Sequence, residues 1–145
     1  LQIAQDEGFL QQNPAPAQDV IVQRLRALHA LLSEDGFEFG HRSFYESVRF
    51  AAMLAAAGAS DADHALDRIV LQKILPRLHG ARRRLEAPLC ALGRFCIDPA
   101  PPASAPSNKT ALDLDAKQPR LPGAYAKVRR MLLALRANQF VSFTE

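Results

Sequence analysis

The sequence is poor in the residues and runs that most often announce a chemistry. Cysteine occurs twice, as Cys90 and Cys96, six positions apart on what reads as one helix. That spacing does not bring two side chains to the same height on one face, so no disulfide between them is expected. There are only four histidines, scattered along the chain, and no further cysteine, so a zinc site is not expected either. Both thiols read as reduced core residues. No apolar run approaches the ~20 residues of a membrane span. The longest candidate, Phe50 to Ala59, is Ala-rich and interrupted by Gly58. The opening residues carry Asp6 and Glu7 and no basic cluster, unlike a secretory signal. A cytoplasmic chain without membrane contact is the expectation. Since the first residue is Leu1, the chain is expected to be a piece of a longer protein.

Catalytic signatures are absent too. A phosphate loop needs clustered glycines whose amides cradle anionic oxygens, with Lys and Ser/Thr behind them. Here seven glycines stand singly at turns, and no G-x-x-x-x-G-K-[ST] occurs. G-x-S-x-G and H-E-x-x-H are missing, and neither cysteine has an obvious histidine partner. One dense polar cluster remains, Asp61, Asp63, His64 and Asp67. A weak metal site is one reading of it. An acidic first turn complementing a helix dipole is the better one. The expectation is no catalytic residue, no metal, and no cofactor held by this chain alone.

What the sequence does have is helical periodicity. Apolar residues make up 48% and charged residues 23%, enough for one core in 145 residues. After a polar lead-in (1–18), Asp19 stands where a helix cap belongs, ahead of Ile21, Leu25, Leu28 and Leu32. That helix is expected over about Ala17 to Glu34, with Gly36 just past its end. Ser43 and Glu46 have capping-box spacing, so a second helix should run from there to about Ala57 with Phe44, Val48, Ala51 and Ala55 inward. Ser60 to Asp63 opens a third, carrying Leu66, Ile69, Val70, Ile74 and Leu75 until Pro76 ends or kinks it. Leu85, Leu89, Leu92 and Cys96 mark a fourth, whose regular part is expected to begin near Pro88. Residues 98–123 hold six prolines with Ala and Ser between, a linker or an ordered but irregular loop and not a helix. A last helix over about Ala124 to Ala137 presents Tyr125, Val128, Leu132 and Leu135. It leads to Phe140-Val141-Ser142-Phe143, a short strand or an apolar tail. The expected fold is therefore all-α: a bundle of about five helices with a Pro-rich irregular insert before the last. Its units are the lead-in, a helical bundle over 19–97, the loop over 98–123, and a returning helix and tail over 124–145.

The net charge of +3 is small, but its placement is uneven. From Arg68 to Arg84 come Lys73, Arg77, Arg82 and Arg83 with no acid between. From Lys117 to Arg136 come Arg120, Lys127, Arg129 and Arg130, again with none. Such blocks suit anionic partners: nucleotide phosphate, nucleic acid or an acidic face of another subunit. The first block holds no aromatic residue and the second only Tyr125, too little interleaving to favour nucleic acid.

Three stretches taken in order resemble one family. They are Phe39 to Phe50, opening Phe39-Gly40-His41-Arg42-Ser43-Phe44-Tyr45-Glu46; Leu66 to Glu86, with Gln72-Lys73-Ile74-Leu75-Pro76-Arg77-Leu78-His79-Gly80-Ala81-Arg82-Arg83-Arg84 its most specific part; and Lys127 to Leu135 followed by Phe140-Val141-Ser142-Phe143. Together they are similar to the region after the ATPase core in McrB-type AAA+ proteins, the motor subunits of modification-dependent restriction systems. The match covers roughly Asp19 to Glu145, with one departure: Asn138-Gln139 stands where that pattern prefers a glycine before Phe140. The resemblance implies a helical lid over ATP or GTP with Mg²⁺, held by an AAA+ core of the same chain and by neighbouring subunits in a ring. A nuclease subunit and DNA would be the partners of the full assembly. It also implies that Gly40 and Arg42 reach nucleotide phosphate as a second sensor, an arginine beside helix amides. Lys73, Arg77, His79, Arg82, Arg83 and Arg84 would form an interface or anion-binding surface. The plain alternatives are a solvated Arg42 and a basic face with a structural His79-Gly80 turn, His79 capping the preceding helix. Two other readings compete with the lid: a stand-alone helical nucleic-acid-binding module, and an adaptor docking through its apolar tail.

Overall fold

The computed structural model of the protein describes residues 16–34, 40–56, 61–99 and 108–143. Most of the expected lead-in, the residues just before Gly40 and the stop at Gly58 lie outside them. The described elements are α1 (Pro16–Glu34), α2 (Gly40–Ala56) and α3 (Ala62–Ile69). A π-helical turn (Val70–Ile74) and a 3₁₀ turn (Leu75–Arg77) follow. Then come β1 (Gly80–Ala81), α4 (Arg82–Ile97), α5 (Pro122–Asn138) and β2 (Phe140–Val141). Among the described residues the fold is all-α apart from β1 and β2, which pair antiparallel with Gly80 opposite Val141 and Ala81 opposite Phe140.

Helical periodicity located the core. Ile21, Leu25, Leu28 and Leu32 of α1 are buried, as are Leu66, Ile69, Val70, Ile74 and Leu75. They meet Leu85, Leu89, Leu92 and Cys96 of α4 and Tyr125, Val128, Leu132 and Leu135 of α5 in one continuous apolar cluster. The α4–α5 packing is the most extensive in the molecule, and α1 closes over α2, α3 and α4. Val48 of α2 points inward as expected, while the side chains of Phe44, Ala51 and Ala55 are outside the described set.

Four helix boundaries depart from expectation. α1 starts at Pro16, so Asp19 lies within its first turn and not at the cap; Pro suits the first turn because its missing N–H would be unpaired there anyway. α2 starts at Gly40, which puts Ser43 inside the helix and leaves Glu46 to pair with Arg42 in place of a capping box. α4 runs unbroken from Arg82 through Pro88. Burial of Leu85, Pro88 and Leu89, and the Arg82–Glu86 pair one turn earlier, outweigh the lost hydrogen bond. Pro76 acts before its own position: the N–H of Leu75 reaches back five residues to the Val70 carbonyl, widening the last turn ahead of the proline. The bulge lets Ile74 and Leu75, adjacent in sequence, both enter the core.

The second half of the Pro-rich stretch is an ordered strap. From Ala111 to Lys117 exposure alternates, with Leu112, Leu114 and Ala116 turned in and Ala111, Asp113, Asp115 and Lys117 turned out. Gly93 of α4 makes room for it: a Cβ there would sit 2.5 Å from a methyl of Leu112. Side chains of the two flanking helices hold its backbone. Arg94 donates to the Ala111 carbonyl (2.8 Å), Arg129 to that of Leu114 (2.8 Å), Arg136 to that of Thr110 (2.7 Å), and the Tyr125 hydroxyl to that of Asp113 (2.6 Å).

Glu86 ties α4, α5 and the strap together. Its carboxylate accepts from Arg82 (both contacts 3.3 Å) and from Arg136 Nε (2.9 Å), while Arg136 also holds the strap. Burial pushes the Glu86 carboxyl up, but the hydrogen bonds and positive charges of Arg82 and Arg136 outweigh it and hold it below its ordinary value. Glu86 therefore ionises more readily folded than unfolded. The stability this contributes is present above the ordinary carboxylate range and is lost as pH falls through the folded pKa. Glu86→Gln should lower stability at neutral pH by about 2 kcal/mol, with the gap to wild type narrowing on acidification, read from urea midpoints across pH.

The residue closing α5, Gln139, is left-handed (φ 66°), and its N–H reaches the Leu135 carbonyl at 2.7 Å. This is a conformation in which glycine is free and any Cβ is crowded. Gln139→Gly should raise stability by about 0.5 to 1 kcal/mol, and Gln139→Val should lower it, both read as shifts of the urea midpoint.

Candidate functional site

Arg42 lies in the first turn of α2, its side chain 90% exposed, with one i,i+4 contact to Glu46 (Nε–Oε1 3.3 Å). An exposed pair of this kind contributes a few tenths of a kcal/mol (about 0.3 to 0.5), so the guanidinium is free to reorient. Gly40 is the first residue of the same helix, whose leading amides have no partner further back in it.

The residues from Lys73 to Arg84 divide into two groups. Lys73 is half-buried in the π turn and sits over the Phe50 ring of α2, 5.5 Å from its centre. Arg82 is also drawn inward, donating to Glu86 and to the Arg136 carbonyl (3.4 Å). These two hold the fold. Arg77, His79, Arg83 and Arg84 are exposed, and none of them has a carboxylate partner among the described residues. His79 does not cap the preceding helix: its side chain is exposed, and the turn is closed by the Leu78 N–H on the Leu75 carbonyl (3.0 Å). Gly80 does take the conformation a glycine was expected for, with φ 136°. No hydrogen bond or ion pair joins Arg42 to this group among the described residues.

The second basic block is largely structural. Arg129 and Arg136 are spent on strap carbonyls, Lys127 sits 4.7 Å over the Phe143 ring, and Arg120 approaches Asp63 at 3.9 Å. Only Lys117 and Arg130 remain exposed without a described partner.

The acidic cluster resolves into separate structural tasks. Asp61 caps α3 by accepting from the Asp63 N–H (3.0 Å). Asp67 reaches across the bundle to the start of α5, where the Ala124 and Gly123 amides donate to it at 2.6 and 3.3 Å. It supplies the cap that Leu121 lacks, a carboxylate at the positive end of a helix. Among the described residues no group of three or more His, Cys, Asp or Glu is arranged to hold a metal. Both cysteines are free and buried. Burial pushes the Cys90 thiol up against the pull of Arg136 and Arg94; burial first and the Asp67 charge second push Cys96 far higher. Neither is a thiolate nucleophile at neutral pH. No helix among the described residues is long and apolar enough to cross a membrane.

Sequence reasoning found the exposed cations but missed an aromatic neighbour. The β1–β2 register sets Phe140, 50% exposed, directly opposite Ala81, between His79 and Arg83. Only a pairing across nearly sixty residues reveals it; the one local signal was the alternation of Phe140 to Phe143.

No curated protein and no solved structure matches the chain. One family model does, over residues 3–140, and its description is a domain of unknown function, DUF8727. That match spans nearly the whole sequence, and the chain belongs to the DUF8727 family.

Proposed function

We propose that the chain is a helical lid module of an McrB-type AAA+ NTPase, seated over ATP or GTP with Mg²⁺ held by an α/β core and by neighbouring subunits of a ring. The observation that carries this reading is the backbone at Gln139. The motor-subunit pattern prefers a glycine just before Phe140, and here that position is left-handed, the conformation a glycine would serve. The residue departs from the pattern while the backbone keeps to it. Convergence of the three family-like stretches supports the same reading: α2 packs on α3 and the π turn, and β1 pairs with β2.

In this reading the module contributes no catalytic residue of its own. Arg42, exposed and weakly paired beside the leading amides of α2, reaches a phosphate presented by the core and reports its loss. The full assembly works in the cytoplasm on DNA with a nuclease subunit. The test is made in the protein that joins this module to its core. Arg42→Ala should lower NTP hydrolysis at least about tenfold and weaken nucleotide-dependent assembly, while the thermal midpoint stays within a degree or so of wild type. Unchanged hydrolysis and assembly would remove the role assigned to Arg42. A phosphate loop missing from the coding sequence upstream of Leu1 would remove the lid reading itself.

A further inference from the structure

The short ribbon of β1 and β2 has two unlike sides. On the inward side Leu78 and Val141 are fully buried, and Leu78 and Ala81 are extended (φ −91°, ψ 107° and φ −80°, ψ 153°). An extended backbone sends alternate side chains to opposite faces. Leu78 is buried while His79 and Ala81 are exposed, and Arg77 at the end of the 3₁₀ turn and Arg83 and Arg84 at the start of α4 are exposed on either side of them along the chain. Directly opposed residues of an antiparallel pair share a face, so Phe140 stands on the outward side beside Ala81. Arg82, the cation that would break the pattern, is turned in, and the nearest acid in sequence, Glu86, is engaged by Arg82 and Arg136. The outward face thus carries a half-exposed ring opposite Ala81, with the exposed His79, Arg77, Arg83 and Arg84 within four residues of Ala81 in sequence and none of them paired with a described carboxylate.

We infer that this face binds single-stranded nucleic acid, one base stacking on Phe140 and the flanking phosphates held by Arg77, Arg83 and Arg84. The chemistry discriminates among partners. A protein interface needs a desolvated apolar centre, and one half-exposed ring amid cations does not supply it. A membrane surface would call for an amphipathic helix with a broad apolar stripe, where this is a two-residue ribbon. Duplex nucleic acid would satisfy the arginines but leave the ring without a use, because its bases are already stacked. An unpaired strand satisfies both: every base has a face to stack, and guanidinium forks match phosphate oxygens. The site is separate from the lid reading, since Arg42 takes no part in it.

Fluorescence anisotropy of the whole chain with a labelled oligothymidine, titrated over salt, tests this against a duplex of equal length. Three phosphate contacts give a slope of log K against log salt of about −2 for a single strand. Arg83→Ala with Arg84→Ala should reduce that slope by about 1.4. Phe140→Leu keeps an apolar residue in the ribbon but removes the stacking surface. It should weaken binding about 5- to 100-fold with the slope unchanged, and Phe140→Tyr should restore it. Should Phe140→Leu disturb the fold, the exposed substitution Arg77→Ala carries the same test through the salt slope. Absence of binding at low salt, equal or tighter binding of the duplex, or indifference of a folded Phe140→Leu variant would each overturn the inference.

Discussion

Between α4 and α5, a single carboxylate is held by two guanidiniums from different parts of the chain, and much of the remaining architecture is hung from that junction. Glu86 fixes Arg82 one turn back on its own helix and Arg136 across the interface. Arg82, so anchored, also donates to the Arg136 carbonyl, and its own amide accepts no freedom either, binding the Gln139 carbonyl at 2.9 Å. That contact leads directly into the β1–β2 pair. Arg136 meanwhile reaches the strap. Three non-local features, the helix pair, the ribbon and the strap, therefore share one electrostatic anchor. Remove the carboxylate and two cations are left packed together with no charge between them.

Elements with a single helical period were legible from sequence, because a face of α1, α4 or α5 reports its own burial whatever it packs against. The strap was legible in part. Its Ala111-Leu112-Asp113-Leu114-Asp115-Ala116 run alternates visibly, but the prolines around it drew the reading toward an irregular loop. Pairings across long separations were not legible at all. Nothing near Asp67 says that it caps a helix starting at Pro122, and nothing near Arg129 or Arg136 says that each is consumed by a carbonyl. Basic blocks in sequence overstate the free positive surface for this reason: the fold uses several of the cations as fasteners. What is left exposed without a described carboxylate partner includes Arg77, His79, Arg83 and Arg84 around β1, and Lys117 and Arg130 of the second block.

Arg42 and the β1–β2 ribbon meet different demands. Among the described residues Arg42 pairs with Glu46, a neighbour it can readily release. Other exposed cations lie beside the β1–β2 ribbon, where Gly80 within β1 and Gln139 just before β2 both take positive φ. A loosely held arginine suits a group that must respond to a change.

The strap carries an implication for how this family's sequences can drift. Its fasteners grip main-chain oxygens, which every residue possesses, and its inward contacts rest on Leu112, Leu114 and Ala116. Of the outward positions, Asp113 accepts the Asp115 N–H at 2.9 Å, while the side chains of Ala111, Asp115 and Lys117 contribute little. Natural variation should therefore accumulate at every second residue of the strap while Arg94, Arg129 and Arg136 stay fixed, leaving a striped pattern of change in a segment whose composition alone would suggest uniform tolerance.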